Sequence, residues 1–328
     1  MKKSPRGLVV ITGGAGFIGS HLAERHLRAG DSVLAIDDLS TGRAGNLSAF
    51  STHPSFKFRK GRLSEIPQLA RTIKDARLIY HLAAAVGVEL VMKSPVYTIH
   101  NNLKETEIIL EAASKAAVPV LLTSTSEVYG KSKKKLFSES DDLLIGPPTL
   151  GRWSYACSKL MDEFLALAYA RERGVPVIIA RLFNTVGPRQ SGKYGMVFPR
   201  FISSALKGEP LQVYGSGKQT RCFCFINDTV EALFKLAHTQ AAWGQIVNIG
   251  TNQEISILAL ARLIIRELDS SSKIKLIPYS RNFASGFEDM QRRKPNVAKL
   301  KKLTGFTPRT SLVRAIQMTA ASLGKGVP

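Results

Sequence analysis

The amino-acid sequence predicts an α/β protein, a doubly wound parallel sheet joined to a smaller C-terminal substrate-binding lobe. Three observations predict it. Apolar runs of strand length alternate with amphipathic stretches of helix length. The first run opens into a glycine-rich turn followed by a helical pattern. After about residue 183 the alternation gives way to turn-rich, irregular sequence.

In chain order, LVVIT (8–12), SVLAID (32–37), LIYHLA (78–83), VPVLLTS (118–124), VPVIIARL (175–182) and QIVNIG (245–250) read as strands buried on both faces. Between them, SHLAERHLRAG, NNLKETEIILEAASKA and YACSKLMDEFLALAYARERG carry helical periodicity. FPRFISSALKGEP reads as a short helix closed by Gly and Pro. The expected domains are 1–183, with 222–250 returning to it, and a second lobe of 184–221 and 251–328.

Composition narrows the function classes. The 328 residues are 44% apolar, enough for one large domain or two joined ones. No stretch approaches the ~20 apolar residues of a membrane span. The basic start MKKSPRGLVVITGG runs straight into glycines without a small-residue cleavage pattern, so the chain reads as cytoplasmic. Cys157, Cys222 and Cys224 form no disulfide framework, and Cys222-x-Cys224 lacks a second ligand pair, so no metal is expected. The net charge of +21 admits a nucleic-acid binder, but the cations are spread along the chain without an aromatic-interleaved basic motif. A basic surface on an enzyme that handles anionic substrates is the preferred reading, with no nucleic acid and no membrane as partners.

The glycine turn is the first chemical signal. Gly13, Gly16 and Gly19 form G-x-x-G-x-x-G between a strand and a helix. Gly13 permits the tight turn, Gly16 the approach of backbone to a pyrophosphate, and Gly19 close helix–sheet packing. The second strand ends in Asp37-Asp38, and Asp37 stands 18 residues beyond Gly19, where an acid bonds adenosine ribose hydroxyls. An acid there repels a 2′-phosphate, which favours NAD. This is the Rossmann pattern; the alternative is a turn that merely packs.

The second signal is YACSK. Tyr155 and Lys159, four apart, share one helix face. A phenol near pKa 10 is a poor base at neutral pH, and a neighbouring cation favours its phenolate. Such a pair can take a proton from a sugar hydroxyl while hydride leaves the same carbon for nicotinamide. TSTSEVYG (123–130) ends a strand with hydroxyls and an acid. Thr125 is placed to complete a Ser/Thr–Tyr–Lys triad, and Glu127 to serve as a second acid/base or as a solvated loop acid.

GGAGFIGSHL, IDDLSTG, HLAA, TSTSEVYG, YACSK, RLFNTVGPR and GKQTRCF together resemble the extended short-chain dehydrogenase/reductase family of nucleotide-sugar enzymes, in order and over nearly the whole chain. The resemblance implies bound NAD, a UDP-sugar substrate, and a homodimer through helices near 101–117 and 154–173. It implies that Thr125, Ser126, Glu127, Tyr155 and Lys159 do the chemistry. It places Gly13, Gly16, Phe17, Ile18, Gly19, Asp37, Asp38, Ser40, Thr41, Gly42, Leu82, Ala83, Ala84 and Lys159 against the cofactor. It places Glu89, Arg152, Asn184, Arg200, Tyr214, Arg221 and Arg293 against the substrate, where arginine forks suit phosphates and carboxylates.

The family shares oxidation at C4 of the hexose. TSTSEVYG, GPPTLGRWSYACSK and RRKP (292–295) are similar to UDP-glucuronate decarboxylases (UDP-xylose synthases) and UDP-apiose/UDP-xylose synthases. AAVGVELVMKSP (84–95), which lacks a Pro/Tyr-rich loop, is similar to the 4-epimerases. The Thr-Ser-Glu triplet also occurs in GDP-mannose dehydratases. Decarboxylation leads, with 4-epimerisation and then 4,6-dehydration as alternatives. A non-catalytic dinucleotide sensor on the same fold would normally have lost the Tyr or the Lys. Two departures stand out: Arg62, in KGRLSEI, takes the place of an adenine-contacting Asp, and Glu105, in NNLKET, takes the place of a glycine.

Overall fold

The computed structural model describes residues 7–192, 196–278 and 290–324, except the side chains of 88–90. The strands are β1 (Leu8–Thr12), β2 (Ser32–Asp37), β3 (Phe56–Lys60), β4 (Ala76–His81), β5 (Val120–Thr125), β6 (Val177–Leu182), β7 (Thr185–Val186), β8 (Leu211–Tyr214), β9 (Thr220–Cys222), β10 (Cys224–Phe225), β11 (Ile246–Ile249), β12 (Glu254–Ser256) and β13 (Ile274–Ile277). The helices are α1 (Phe17–Arg28), α2 (Leu69–Ile73), α3 (Val88–Lys93), α4 (Pro95–Ala116), α5 (Trp153–Arg173), α6 (Val197–Leu206), α7 (Ile226–Ala237), α8 (Ile257–Glu267), α9 (Ala298–Thr304) and α10 (Leu312–Gly324).

Seven strands form one sheet in the order β11-β6-β5-β4-β1-β2-β3. Every pairing in it is parallel. Strand alternation splits the apolar side chains between two faces. Val9, Ile11, Val33, Ala35, Leu78, Tyr80, Leu121 and Ile178 pack into one core with α1, α6 and α7 residues. Val10, Ile36, Ile79, Val120, Leu122, Val177 and Ile179 pack into the other, with Ile73 of α2, Ile109 and Leu110 of α4 and Ala166 of α5. The order in which strands are added reverses between β1 and β4, which opens a crevice at the carboxyl ends of these strands. Beyond β6, short strand pairs β10-β7, β12-β9 and β13-β8 frame that crevice from the other side.

The apolar runs match strands of the sheet to within a few residues, whereas β3 is absent from the expected set of buried runs. Its sequence, FKFRK, alternates Phe with Lys and Arg, as suits an edge strand that blocks further pairing. α4 begins at Pro95, ahead of the expected 101. Proline at the first helical turn needs no N–H partner, so it starts this helix rather than breaking it. α5 begins at Trp153 and ends at Arg173.

Buried charge is paired at the joint between the sheet and α5. Arg181 of β6 donates from Nη2 to Glu163 Oε2 at 2.7 Å and from Nε to Oε1 at 3.0 Å. Ser124 Oγ donates to the same carboxylate at 2.5 Å. Both charged side chains are only 3% exposed. Arg181→Met leaves a buried carboxylate without its cation and is expected to cost about 3–5 kcal/mol, measured by urea unfolding.

Candidate active site

The crevice is a cavity of about 1150 Å³ running from the β1 turn to Arg293. At its cofactor end the glycine turn is sterically enforced. Gly13 has φ +69°, and a Cβ there would sit 2.8 Å from Ala83 N. A Cβ at Gly19 would sit 2.2 Å from Gly13 O. Only hydrogen fits at either place, so β1, α1 and the β4 exit close on one another. Gly16 caps α1 without a side-chain hydrogen bond, and no acid occupies the first turn. The free first-turn N–H groups and the helix dipole suit a pyrophosphate, so these residues fit a dinucleotide.

Asp37 closes that end. Its Oδ2 accepts from Ala15 N at 3.0 Å and its Oδ1 from Leu39 N at 2.8 Å. Burial nevertheless pushes its carboxyl up from the usual range. Gly13, Gly16, Phe17, Ile18, Gly19, Asp37, Asp38, Ser40, Thr41, Leu82, Ala83 and Ala84 all line the cavity. Gly42 packs against the acid, where a Cβ would come within 2.7 Å of Asp37 Oδ1, so its lack of a side chain makes room for the carboxylate.

The two departures have structural accounts. Arg62 Nε donates to Asp38 Oδ2 at 3.3 Å, placing a cation at the adenosine end of the cavity. Glu105, on α4, accepts from Leu63 N at 2.8 Å and from Ser64 Oγ at 3.1 Å. Its carboxylate thus satisfies the backbone of the segment that carries Arg62.

At the chemistry end, β5 delivers Thr125, and a 3₁₀ turn over 126–129 carries Ser126 and Glu127. Thr125 Oγ1 caps that turn by accepting from Glu127 N at 3.2 Å, and Thr125 lies near enough to the Tyr155 phenol to favour its ionised form. Tyr155 and Lys159 both face the cavity from α5. The lysine is not the dominant influence on the phenol. Burial, followed by the charges of Glu127 and Asp162, pushes the Tyr155 phenol well above its ordinary value. Lys159 Nζ donates to Asp162 Oδ2 at 2.7 Å, and the two side chains are 3% and 0% exposed. The ammonium next to the phenol is already partnered.

Glu127 is held by cations. Arg293 Nη1 donates to its Oε1 at 3.1 Å, and Arg152 Nη2 lies 3.7 Å from its Oε2. Asn184 and Arg221 line the same wall. Asn184 Nδ2 donates to Cys222 O at 3.1 Å, and Arg221 Nη1 to Met290 O at 2.8 Å. Arg200 Nη1 donates to Tyr214 Oη at 3.0 Å, with its guanidinium 4.7 Å from that ring centroid. Glu89 belongs to α3, but its side chain lies outside the described residues.

Sequence reasoning missed a buried chain beneath the site. His81, at the end of β4, lies 2.8 Å through Nδ1 from Thr12 Oγ1 and 3.1 Å through Nε2 from Thr106 Oγ1. Thr106 in turn faces the Asp162 carboxylate and favours its ionised form. The HLAA motif marks His81, and the spacing of three from Lys159 marks Asp162. Neither pattern shows from sequence that the two groups meet.

Comparison with known proteins gives consistent relatives. The family model described as NAD dependent epimerase/dehydratase family matches residues 9–250. The chain is 41% identical to a UDP-N-acetyl-alpha-D-glucosaminuronate decarboxylase of Bacillus cytotoxicus, over 94% of this chain and 95% of that one. It is 36% identical to UDP-glucuronic acid decarboxylase 4 of Arabidopsis thaliana, over 94% of this chain and 67% of the relative. The fold superposes with a TM-score of 0.87 on UDP-glucuronic acid 4-epimerase from Bacillus cereus, solved with UDP-glucuronic acid and NAD. That pair is 28% identical, with 97% and 99% of the two chains covered.

Burial holds the His81 imidazole down at about 3. The unfolded chain therefore binds a proton below about 6.5 that the native state refuses, so stability falls as pH drops from there toward 3. The slope expected from this group is about 1.4 kcal/mol per pH unit. Urea unfolding at pH 7.5 and 5.5 measures it, and His81→Gln is expected to flatten it.

Proposed function

The chain belongs to the NAD dependent epimerase/dehydratase family, and from that premise we propose that it decarboxylates a UDP-linked uronic acid, UDP-glucuronate or its 2-acetamido analogue. One observation carries the choice. The Glu127 carboxylate occupies a fork of Arg293 and Arg152 in the cavity that Tyr155 and Thr125 also line. A fork that accepts one carboxylate accepts another, so a sugar acid at C5 can take the place of the glutamate. The names of the two decarboxylase relatives support the same reading.

Bound NAD supplies the hydride acceptor at C4 and later the donor. Tyr155 takes the C4 hydroxyl proton while Thr125 bonds the same oxygen. Lys159, besides its bond to Asp162, faces the nicotinamide side of the cavity. The 4-ketone makes the C5 carboxylate that of a β-keto acid. Arg293 and Arg152 hold that carboxylate, and Ser126 lies beside it. The C5–carboxyl bonding pair moves into the enol system as CO2 leaves, and C5 then takes a proton drawn from solvent and delivered by Glu127, the second acid/base, which restores the 4-ketone. Tyr155 then returns its proton to the C4 oxygen as hydride returns to C4. The glycine turn, Asp37, Asp38 and Arg62 hold the dinucleotide. Asn184, Arg200, Tyr214 and Arg221 hold the nucleotide diphosphate, and residues 184–221 and 251–328 form the lobe that supplies them.

A second reading, 4-epimerisation, is favoured by the cavity wall at Ala84, Ala85, Val86 and Gly87. Those small groups leave room for a ketone to turn over. The likeness to the Bacillus cereus 4-epimerase supports it as well.

The protein works as a cytoplasmic homodimer in this reading. Val96 of α4 and Met161 and Phe164 of α5 are 80%, 52% and 59% exposed, and the two helices pack side by side. An apolar strip of this kind is a face that a second copy covers. Among the described residues no helix is long and apolar enough to cross a membrane.

Purified protein with NAD and each of the two UDP-uronic acids is expected to release CO2 and give the UDP-pentose, read by NMR and mass. A mass-neutral product inverted at C4 would replace this reading with the second. Tyr155→Phe is expected to abolish turnover with the fold intact by circular dichroism. Arg293→Ala, removing a charged hydrogen bond worth about 1.5–3 kcal/mol, is expected to lower kcat/KM roughly 10- to 150-fold. Phe164→Glu is expected to yield monomers in light scattering.

A further inference from the structure

Asp162 has no part in the chemistry above, yet it is fully buried against Lys159. Its carboxylate takes the ammonium at 2.7 Å within α5, three residues on. From α4, Thr106 faces the same carboxylate and favours its ionised form, while the buried Asp162 Oδ1 has no hydrogen-bond partner among the described residues. Thr106 is itself tied through His81 to Thr12, the residue before the glycine turn. Thr12, His81, Thr106, Lys159 and Asp162 are all at most 3% exposed. A polar chain this deep leaves little freedom to either end.

We propose that Asp162 is a positioning residue for the Tyr155–Lys159 pair: it fixes the ammonium on α5 and screens its charge from the phenol. Several charged groups face this cluster. Glu127 and Asp162 oppose ionisation of the phenol and Arg293 favours it. Burial, and to a smaller extent the adjacent Glu163, push the Asp162 carboxyl up from its usual range, while Lys159 and Thr106 favour its ionisation. His81 faces Lys159 and is held neutral by burial and by that cation. Arg152 is spent on Glu127. Removing the Asp162 charge leaves Lys159 as the nearest unopposed charge on α5, one turn from the phenol. The phenolate then forms at lower pH.

The inference rests on the acid/base role given to Tyr155, but its principal readout needs no substrate. The NAD-loaded protein is titrated by ultraviolet difference absorbance, and the Tyr155 signal is isolated by subtracting the same titration of a Tyr155→Phe background. In Asp162→Asn the Tyr155 titration midpoint is expected about one pH unit below that of the wild type, which is about ten times more phenolate at any pH below both midpoints. On UDP-glucuronate the acidic limb of kcat moves to lower pH, with KM within about twofold, because the substrate contacts are untouched. Thr106→Val, which keeps both charges, shifts the phenol in the same direction by less and serves if the asparagine variant does not fold. An unchanged phenol titration in a folded variant overturns the inference, whatever the turnover. A wild type that leaves UDP-uronic acids untouched overturns the proposed reaction instead, and the titration difference still decides the role of Asp162.

Discussion

The site depends first on the reversal of strand order between β1 and β4. Parallel strands on either side of it send their following segments to opposite faces, so the carboxyl ends part and leave an opening. Into that opening the chain must bring backbone close enough to form a phosphate cradle, and two contacts show how tight the closure is. Gly13 abuts the backbone at Ala83, and Gly19 abuts Gly13 O. A side chain at either point would hold β1, α1 and the β4 exit apart and the cradle would not form.

The second constraint follows from the first. An opening deep enough to exclude water from a reacting sugar also buries the charged groups that do the work, and buried charge needs partners. The buried ionic groups around β5 and α5 are paired: Arg181 with Glu163, Lys159 with Asp162, Arg293 and Arg152 with Glu127. The pairs differ in consequence. Arg181–Glu163 is closed by Ser124 and is structural. Arg293–Glu127 lies on the cavity wall, and in the proposed reaction it exchanges its carboxylate for that of the substrate. Lys159–Asp162 sits between these cases, buried like the first and beside the reacting group like the second.

Local signals in the sequence were legible because their physics is local. The glycine turn, the strand runs and the Tyr155–Lys159 spacing each follow from neighbours in the chain, and the structure brings Thr125, Tyr155 and Lys159 into one cavity. The charge state of the phenol did not follow. One turn of helix predicted a cation beside it, but the acid that partners this cation shares the same helix, and its burial depends on α4 and β4. Glu105 failed to read for the same reason: its use is to satisfy Leu63 N and Ser64 Oγ across 42 and 41 residues of chain. β3 was masked by its own edge chemistry, since lysines and arginines that prevent further pairing also erase an apolar run.

The basic balance of the chain takes on meaning at the cavity. Arg62, Lys93, Arg152, Lys159, Arg200, Arg221 and Arg293 all reach its wall. A dinucleotide pyrophosphate, a nucleoside diphosphate and a sugar carboxylate would together bring several negative charges into one crevice. Their desolvation is offset only if the wall carries cations already held in place. The arginines meet that condition because most are anchored, Arg200 on Tyr214 Oη and Gln212 O, Arg221 on Thr220 O and Met290 O. Pre-anchored guanidinium groups lose little freedom on binding. A nucleic-acid surface needs the opposite arrangement, with cations spread over a convex face where they reach successive phosphates. Cations that converge on a concave wall, some held by acids that a ligand can displace, fit a small polyanion.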